Sequence, residues 1–183
     1  MTRWEVRLSG YGGQGIVTAG HIIGKAAALY DGKDAVMTEA YGPERAGGWS
    51  CANVVVSDEL MDYPLIVQPD ILVAMSQEAF DKDVHQVKEG GLVLIEKTLV
   101  DPGEQADRKI VRVDAVKTAD ELGRRVVASI VMLGAFTTIT GIVTPKAVKR
   151  AVVESVPKGT ETLNTRAFGA GLELGARIKE AMP

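Results

Sequence analysis

Short, continuously apolar runs alternate along the chain with longer stretches of helical period. Residues 4–9 (WEVRLS) form a β-prone run that stops at GYGGQG, a sequence that has to turn. Beyond the turn, Ile16, Ala19, Ile22, Ile23, Ala26, Ala27 and Tyr30 recur at three- and four-residue spacing, which predicts a helix stopped at Gly32. Residues 34–40 (DAVMTEA) predict a second strand and residues 50–58 (SCANVVVSD) a third. The loop between them, YGPERAGG, is too short for a crossover helix, so these two strands are expected to pair antiparallel. Residues 70–76 (DILVAMS), 92–95 (LVLI) and 109–113 (KIVRV) predict further strands. A short amphipathic helix over Glu78 to Lys88, closed by Gly90 and Gly91, separates the first two of these. Apolar strands alternating with helices belong to a parallel sheet covered on both faces. After residue 113 the pattern is helical. Residues 118–142 read as one helix, or two joined near Gly123, and Thr144-Pro145 opens the next with an N-cap and a first-turn proline. Residues 163–182 give the last. The expectation is a single α/β domain over residues 1–183, with a largely parallel sheet, helices on both faces and a helical C-terminal third.

Composition removes several function classes. Apolar residues make up 46% and charged residues 25%, which excludes intrinsic disorder. The formal charge of -3 gives no support for nucleic acid or an anionic membrane as a main partner. The most apolar stretch, residues 126–143, is interrupted by Ser129, Gly134 and a Thr/Gly-rich end, and is too polar and short to span a bilayer. The start carries no signal-peptide run, so a cytoplasmic protein is expected. Cys51 is the only cysteine: no disulfide can form within the chain, and no iron–sulfur cluster can be held by it alone, since such clusters usually take four thiolates. His21 and His85 lie far apart with no partner at metal spacing, which argues against zinc. No catalytic residue and no metal ligand set is therefore assigned. Cys51, beside Trp49 on a predicted strand, reads as a small core residue, and His85 as solvent-facing.

Two glycine-rich segments hold the candidate chemistry. Gly10, Gly12 and Gly15 satisfy G-x-G-x-x-G between a strand and a helix, where a helix start offers unpaired N–H groups to an anion. Gly12, Gly13, Gln14 and Gly15 are thus candidates to contact a phosphate or a partner's backbone; the same spacing also serves a tight turn without a ligand. In the second segment Tyr41, Gly42, Pro43, Glu44, Arg45, Gly47 and Gly48 form a loop in which proline fixes one dihedral and the glycines free others. Such a loop could present Glu44 and Arg45 to a cleft, with Arg45 able to grip a carboxylate or phosphate. Asn164, Thr165 and Arg166 open the last predicted helix, most simply as an N-cap followed by an exposed arginine. Glu39, near the end of the second strand, formally completes a dinucleotide-binding pattern, and a stand-alone nucleotide-binding protein is the alternative reading. The missing crossover helix argues against it.

Taken together, GYGGQGIVTAG, EAYGPERAGGWSCANVVVSD, YPLIVQPDILVAMSQEAFD, VMLGAFTTITGIVTPKAV and LNTRAFGAG resemble the gamma subunits of 2-oxoacid:ferredoxin oxidoreductases, with spacing most similar to the 2-oxoglutarate type. The chain departs from that pattern at Ala46, where the family usually carries the arginine found here at position 45, and at Ser129, where it tends to have asparagine. The resemblance implies a subunit of a complex that oxidatively decarboxylates a 2-oxoacid onto coenzyme A and passes electrons to ferredoxin. An indolepyruvate ferredoxin oxidoreductase subunit is a closely similar alternative. Thiamine diphosphate, magnesium (Mg) and 4Fe-4S clusters are implied on partner alpha, beta and ferredoxin-like delta chains, because this chain has neither a Gly-Asp-Gly diphosphate motif nor a cysteine cluster. The gamma chain is expected to bind no cofactor alone, to shape the cleft and the subunit interface, and to expose an apolar patch where partners dock.

Overall fold

The computed structural model describes residues 2–44, 47–61, 63, 65–104 and 108–182. Six strands form one sheet: β1 (Arg3–Tyr11), β2 (Asp34–Tyr41), β3 (Trp49–Ser57), β4 (Ile71–Ala74), β5 (Leu92–Glu96) and β6 (Lys109–Val113), in the order β2-β3-β1-β4-β5-β6. β1, β4, β5 and β6 pair parallel, and β3 runs antiparallel to both β1 and β2. The short loop at 41–48 therefore makes the expected hairpin, and the long connections make the parallel pairs.

Alternation along the strands sorts the two faces. Val6, Leu8, Val54, Val56, Ile71, Val73 and Leu94 face the larger core, against α1 (Ile16–Lys25), α4 (Ala128–Thr140), α5 (Pro145–Ser155) and α6 (Glu161–Ala181). Leu72, Ala74, Val93 and Ile95 face the other way, against Phe80 and Val84 of α2 (Gln77–Asp83) and the turn after it. Each large aliphatic side chain buried this way contributes about 1.5–3 kcal/mol. Because α1 leaves β1 on one face and α2 leaves β4 on the other, the chain switches sides between these neighbouring strands. Ligands in open α/β sheets bind beside such a switch, outside the carboxyl ends of the strands.

Three boundaries differ from expectation. The helix expected over 118–142 is α3 (Ala115–Glu121), a stop at Gly123 with φ 85°, a 3₁₀ turn at Arg125–Val127, and then α4. α2 ends at Asp83 and continues only as a 3₁₀ turn to Gln86. The last helix starts at Glu161, so Asn164 lies within its first turn rather than capping it.

α1 extends as a π-helical turn over Ala26–Tyr30, which carries Tyr30 to α5. The Tyr30 hydroxyl donates to Glu154, with Lys25 Nζ at 3.0 Å and Arg150 Nε at 3.1 Å from the same carboxylate. These contacts, the tyrosine bond foremost, hold the Glu154 carboxyl down at about 2. A depressed folded value means that the stabilisation is full above the ordinary carboxylate range and is lost as pH falls toward 2. Glu154→Gln should therefore lower the urea midpoint at neutral pH. The gap to the parent should close between about pH 4.3 and 2, and a gap independent of pH would contradict the assignment.

Candidate functional site

The antiparallel register pairs Gly10 with Ser50 and Tyr11 with Trp49, so the turn leaving β1 lies against the loop entering β3. Gly12 N–H donates to Gly48 O at 2.8 Å, and Gly42 N–H donates to Trp49 O at 2.7 Å. The two glycine segments singled out in the sequence are thus brought together. Gln14 locks the first of them: its Oε1 accepts from Tyr11 N–H at 2.7 Å, and its Nε2 donates to Met75 O, just beyond β4, at 3.0 Å. Glu44 folds back over its own loop, so that an added Cβ on Gly42 or Gly48 would lie 2.3 Å from its Oε2. Arg45 lies outside the described residues. Tyr41 is exposed, and its hydroxyl donates to Glu39 Oε2 at 2.5 Å, which raises the phenol's pKa. β3 stands between Glu39's strand and β1, which separates this acid from the glycine turn and removes the dinucleotide arrangement.

Two cavities beyond the strand ends adjoin the first glycine turn. One, of about 360 Å³, is bordered by Gly13, Met75, Leu99 and Val116, which follow the carboxyl ends of β1, β4, β5 and β6. The other, of about 400 Å³, opens between the starts of α1, α4 and α6, and is lined by Gly15, Thr18, Arg124, Ser129, Thr160 and Asn164. Val126 borders both and is 70% exposed. A third cavity, about 420 Å³, sits at the opposite end of the sheet, where Lys88 Nζ is already paired with Asp70 at 2.7 Å.

The Gly15 cavity has the chemistry of an anion site. No side chain caps α1 at Gly15 or α6 at Thr160. By contrast, Ser76 accepts from Ala79 N–H in α2, Thr144 from Ala147 N–H in α5, and Glu96 Oε1 from Val116 N–H in α3. The uncapped N–H groups and their helix dipoles favour a negative charge; at α6 the first-turn Glu161 supplies one, its Oε2 accepting from Gly159 N–H at 2.7 Å, while the start of α1 has no acid and Arg124 adds a cation at the rim. Asn164 is 7% exposed; its Nδ2 donates to Thr160 O and Oγ1, both at 3.0 Å, which leaves its carbonyl oxygen for the cavity. Ser129, 5% exposed, packs its hydroxyl against Gly15, whose φ is 80° and where an added Cβ would lie 2.5 Å from Ser129 Oγ.

Sequence reasoning missed two buried polar centres. Glu96 is fully buried and accepts from Thr98 N–H, Thr98 Oγ, Leu99 N–H and Val116 N–H, which organises the loops after β5 and β6. Asp83 and Arg7 form an ion pair at 3.2 Å on the sheet face that α2 partly covers. A charge closing an apolar strand (Glu96) or interrupting one (Arg7) was the only signal. Cys51 is 1% exposed, and burial pushes its thiol up to about 12, so it is a core residue and no nucleophile at neutral pH. His21 and His85 are both exposed. Among the described residues no group of three His, Cys, Asp or Glu side chains is placed to hold a metal, and no helix is long and apolar enough to cross a membrane.

Comparison with known proteins agrees with this architecture. Residues 5–174 match the pyruvate ferredoxin/flavodoxin oxidoreductase family. The chain is 48% identical over 179 residues to the 2-oxoglutarate synthase subunit KorC of Methanocaldococcus jannaschii, covering 96% of each protein. It superposes on the crystal structure of the keto/oxoacid ferredoxin oxidoreductase gamma subunit from Geobacter sulfurreducens with a TM-score of 0.85 and 38% identity, over 97% of this chain and 99% of that one. It also shares its fold with 32% of a chain of the 2-oxoglutarate:ferredoxin oxidoreductase of Magnetococcus marinus, at a TM-score of 0.88 and 21% identity and over the whole of this chain; that enzyme was solved with 2-oxoglutarate, coenzyme A and succinyl-CoA bound. The chain belongs to the pyruvate ferredoxin/flavodoxin oxidoreductase family, as a gamma-type chain of a 2-oxoacid:ferredoxin oxidoreductase.

Proposed function

We propose that this chain is the gamma subunit of a cytoplasmic 2-oxoglutarate:ferredoxin oxidoreductase, that residues 1–183 act as one gamma-type domain, and that its own contribution is to hold the phosphate end of coenzyme A. The observation that carries the binding role is the meeting of the Gly12–Gly15 turn with the 400 Å³ cavity between two uncapped helix starts. The choice of 2-oxoglutarate rests on the KorC relative, which matches over nearly its whole length.

In this reading the N–H groups of Gly13 and Gly15 and of the start of α1 receive a phosphate, while the Gln14 N–H is held by Tyr11 O at 3.1 Å. Arg124 neutralises charge at the rim. Asn164 offers a hydrogen-bonding group to the polar part of the ligand, Ser129 packs against Gly15, and Val126 and Val127 cover the ligand's apolar part. Gly12, Gly47 and Gly48 keep the two loops in contact, and Glu44 folds back over the second of them. The chain holds the acyl acceptor in place and supplies no catalytic group. Thiamine diphosphate with magnesium, and 4Fe-4S clusters, belong to alpha, beta and ferredoxin-like delta partners, where thiamine supplies the decarboxylation chemistry and the clusters pass electrons to ferredoxin. One cysteine and no clustered metal ligands among the described residues suit such a division of labour. The segment following β3 leaves Leu60, Tyr63, Leu65 and Val67 exposed by 49–87%, a surface suited to burial against those partners.

The substrate is tested on the enzyme reconstituted from its separately purified subunits. 2-Oxoglutarate should reduce ferredoxin with a kcat/KM at least about tenfold above pyruvate or indolepyruvate, a gap that one buried carboxylate contact supplies. Equal or faster turnover of either competitor would overturn the assignment.

A further inference from the structure

The Arg7–Asp83 pair has no part in the binding role above, yet its connections lead to the binding loops. Asp83 closes α2 and is 1% exposed. Its carboxylate accepts from Arg7 Nη1 at 3.2 Å, from Ser9 Oγ at 2.6 Å and from Trp49 Nε1 at 3.3 Å. Arg7 is held in turn by Asn53 Oδ1 at 2.8 Å and Gln86 Oε1 at 2.6 Å. The neighbouring Lys82 places its ammonium 3.3 Å from the centre of the Trp49 ring. Two consecutive side chains of one helix thus grip the Trp49 indole by edge and face. A buried ion pair costs desolvation that its attraction seldom exceeds, so such a pair is weak evidence for stability and its use has to be sought elsewhere.

Trp49 is the first residue of β3 and the end of the second glycine loop. Its carbonyl accepts from Gly42 N–H, and the carbonyl of the preceding Gly48 accepts from Gly12 N–H. Ser9, also bonded to Asp83, lies just before the first glycine turn. The other end of the same β4–α2 unit holds that turn through Gln14 and Met75 O. α2 therefore sets the position of both loops. We propose that Asp83 is a positioning residue: through Trp49 it holds Gly48 against Gly12 and Gly42 against β3, in the register that coenzyme A binding requires. The proposal rests on the coenzyme A role given above.

The test uses Trp49→Phe, which keeps the ring and removes only the N–H donor, and Asp83→Asn, which keeps an acceptor oxygen and removes the charge. In the reconstituted enzyme, Trp49→Phe should raise the KM for coenzyme A about three- to tenfold, the size of one hydrogen bond of ordinary net strength. kcat and the KM for 2-oxoglutarate should stay within about twofold. Hydrogen exchange on the full-length chain should speed up at the Gly12 and Gly42 amides in both variants while the β5 amides stay protected. A merely structural role would move the β5 amides and would leave the two KM values unsplit. Unchanged coenzyme A KM in Trp49→Phe, with Gly15→Ala still raising it, would overturn this proposal alone; no effect of either variant would overturn the coenzyme A role itself.

Discussion

Gly15→Ala should raise the KM for coenzyme A at least about tenfold in the reconstituted enzyme, with the KM for 2-oxoglutarate changed by less than about twofold. Two physical effects act together. Gly15 has φ 80°, a left-handed conformation that costs an L-residue about 1–2 kcal/mol. The new methyl would also lie 2.5 Å from Ser129 Oγ and 3.3 Å from its Cβ, so the buried Ser129 hydroxyl must turn aside or the start of α1 must shift from α4. That start supplies the N–H groups facing the cavity, and misplacing them weakens an anion held by dipole and hydrogen bonds. Ser129→Ala separates the two effects. Combined with Gly15→Ala it removes the hydroxyl clash but not the dihedral cost, so affinity should recover in part. Unaltered coenzyme A KM in a folded Gly15→Ala enzyme would show that the turn serves packing only.

Gly171→Ala should lower the thermal midpoint of the chain by about 5 °C, a loss of about 2 kcal/mol for a chain of this size. α4 and α6 approach so closely that a Cβ on Gly171 would lie 2.1 Å from Val131 O and 2.9 Å from Gly134 Cα. The opposing glycine is as tight, with Phe168 O 2.4 Å from the site of its missing Cβ. Backbone cannot yield as a side-chain tip can, so the helices must separate. The cost outweighs the roughly 1 kcal/mol that alanine adds to a helix interior. Gly169, on the same helix with nothing within 4 Å of an added Cβ, is the control, and its replacement by alanine should raise the midpoint. Equal effects at 169 and 171 would contradict the packing argument. Since Asn164 sits on α6 and Ser129 on α4, this contact also fixes the width of the cavity.

How far the sequence alone reached follows from which signals are local. The strands were readable because each is a short apolar run ended by a turn, and the 41–48 loop was short enough to force a hairpin. The start of α3 was not, because Val116 N–H is satisfied by Glu96, twenty residues earlier, rather than by a local cap. α4 was blurred because eleven of its thirteen residues are buried, so no polar face marks its period. The glycine segments could be singled out, but their contact depends on the register of β1 with β3, which only the folded sheet sets. Asp83 read as one more charge on an amphipathic helix. Its three partners, Arg7, Ser9 and Trp49, lie on two different strands, and no sequence spacing joins them. Asn164 reads as a cap only when the helix start is placed at residue 163, two residues late. Counted from Glu161 it turns inward and lines the cavity instead.

As proposed above, this chain works as an assembled component that holds coenzyme A for chemistry carried out on its partners. The most direct measurement is ferredoxin reduction from 2-oxoglutarate and coenzyme A, with the subunits purified separately and this chain either omitted or restored. The account predicts no turnover by this chain alone, loss of succinyl-CoA formation when it is left out, and recovery when it is added back. Turnover of an oxo acid by the isolated chain, or full succinyl-CoA formation in its absence, would contradict it.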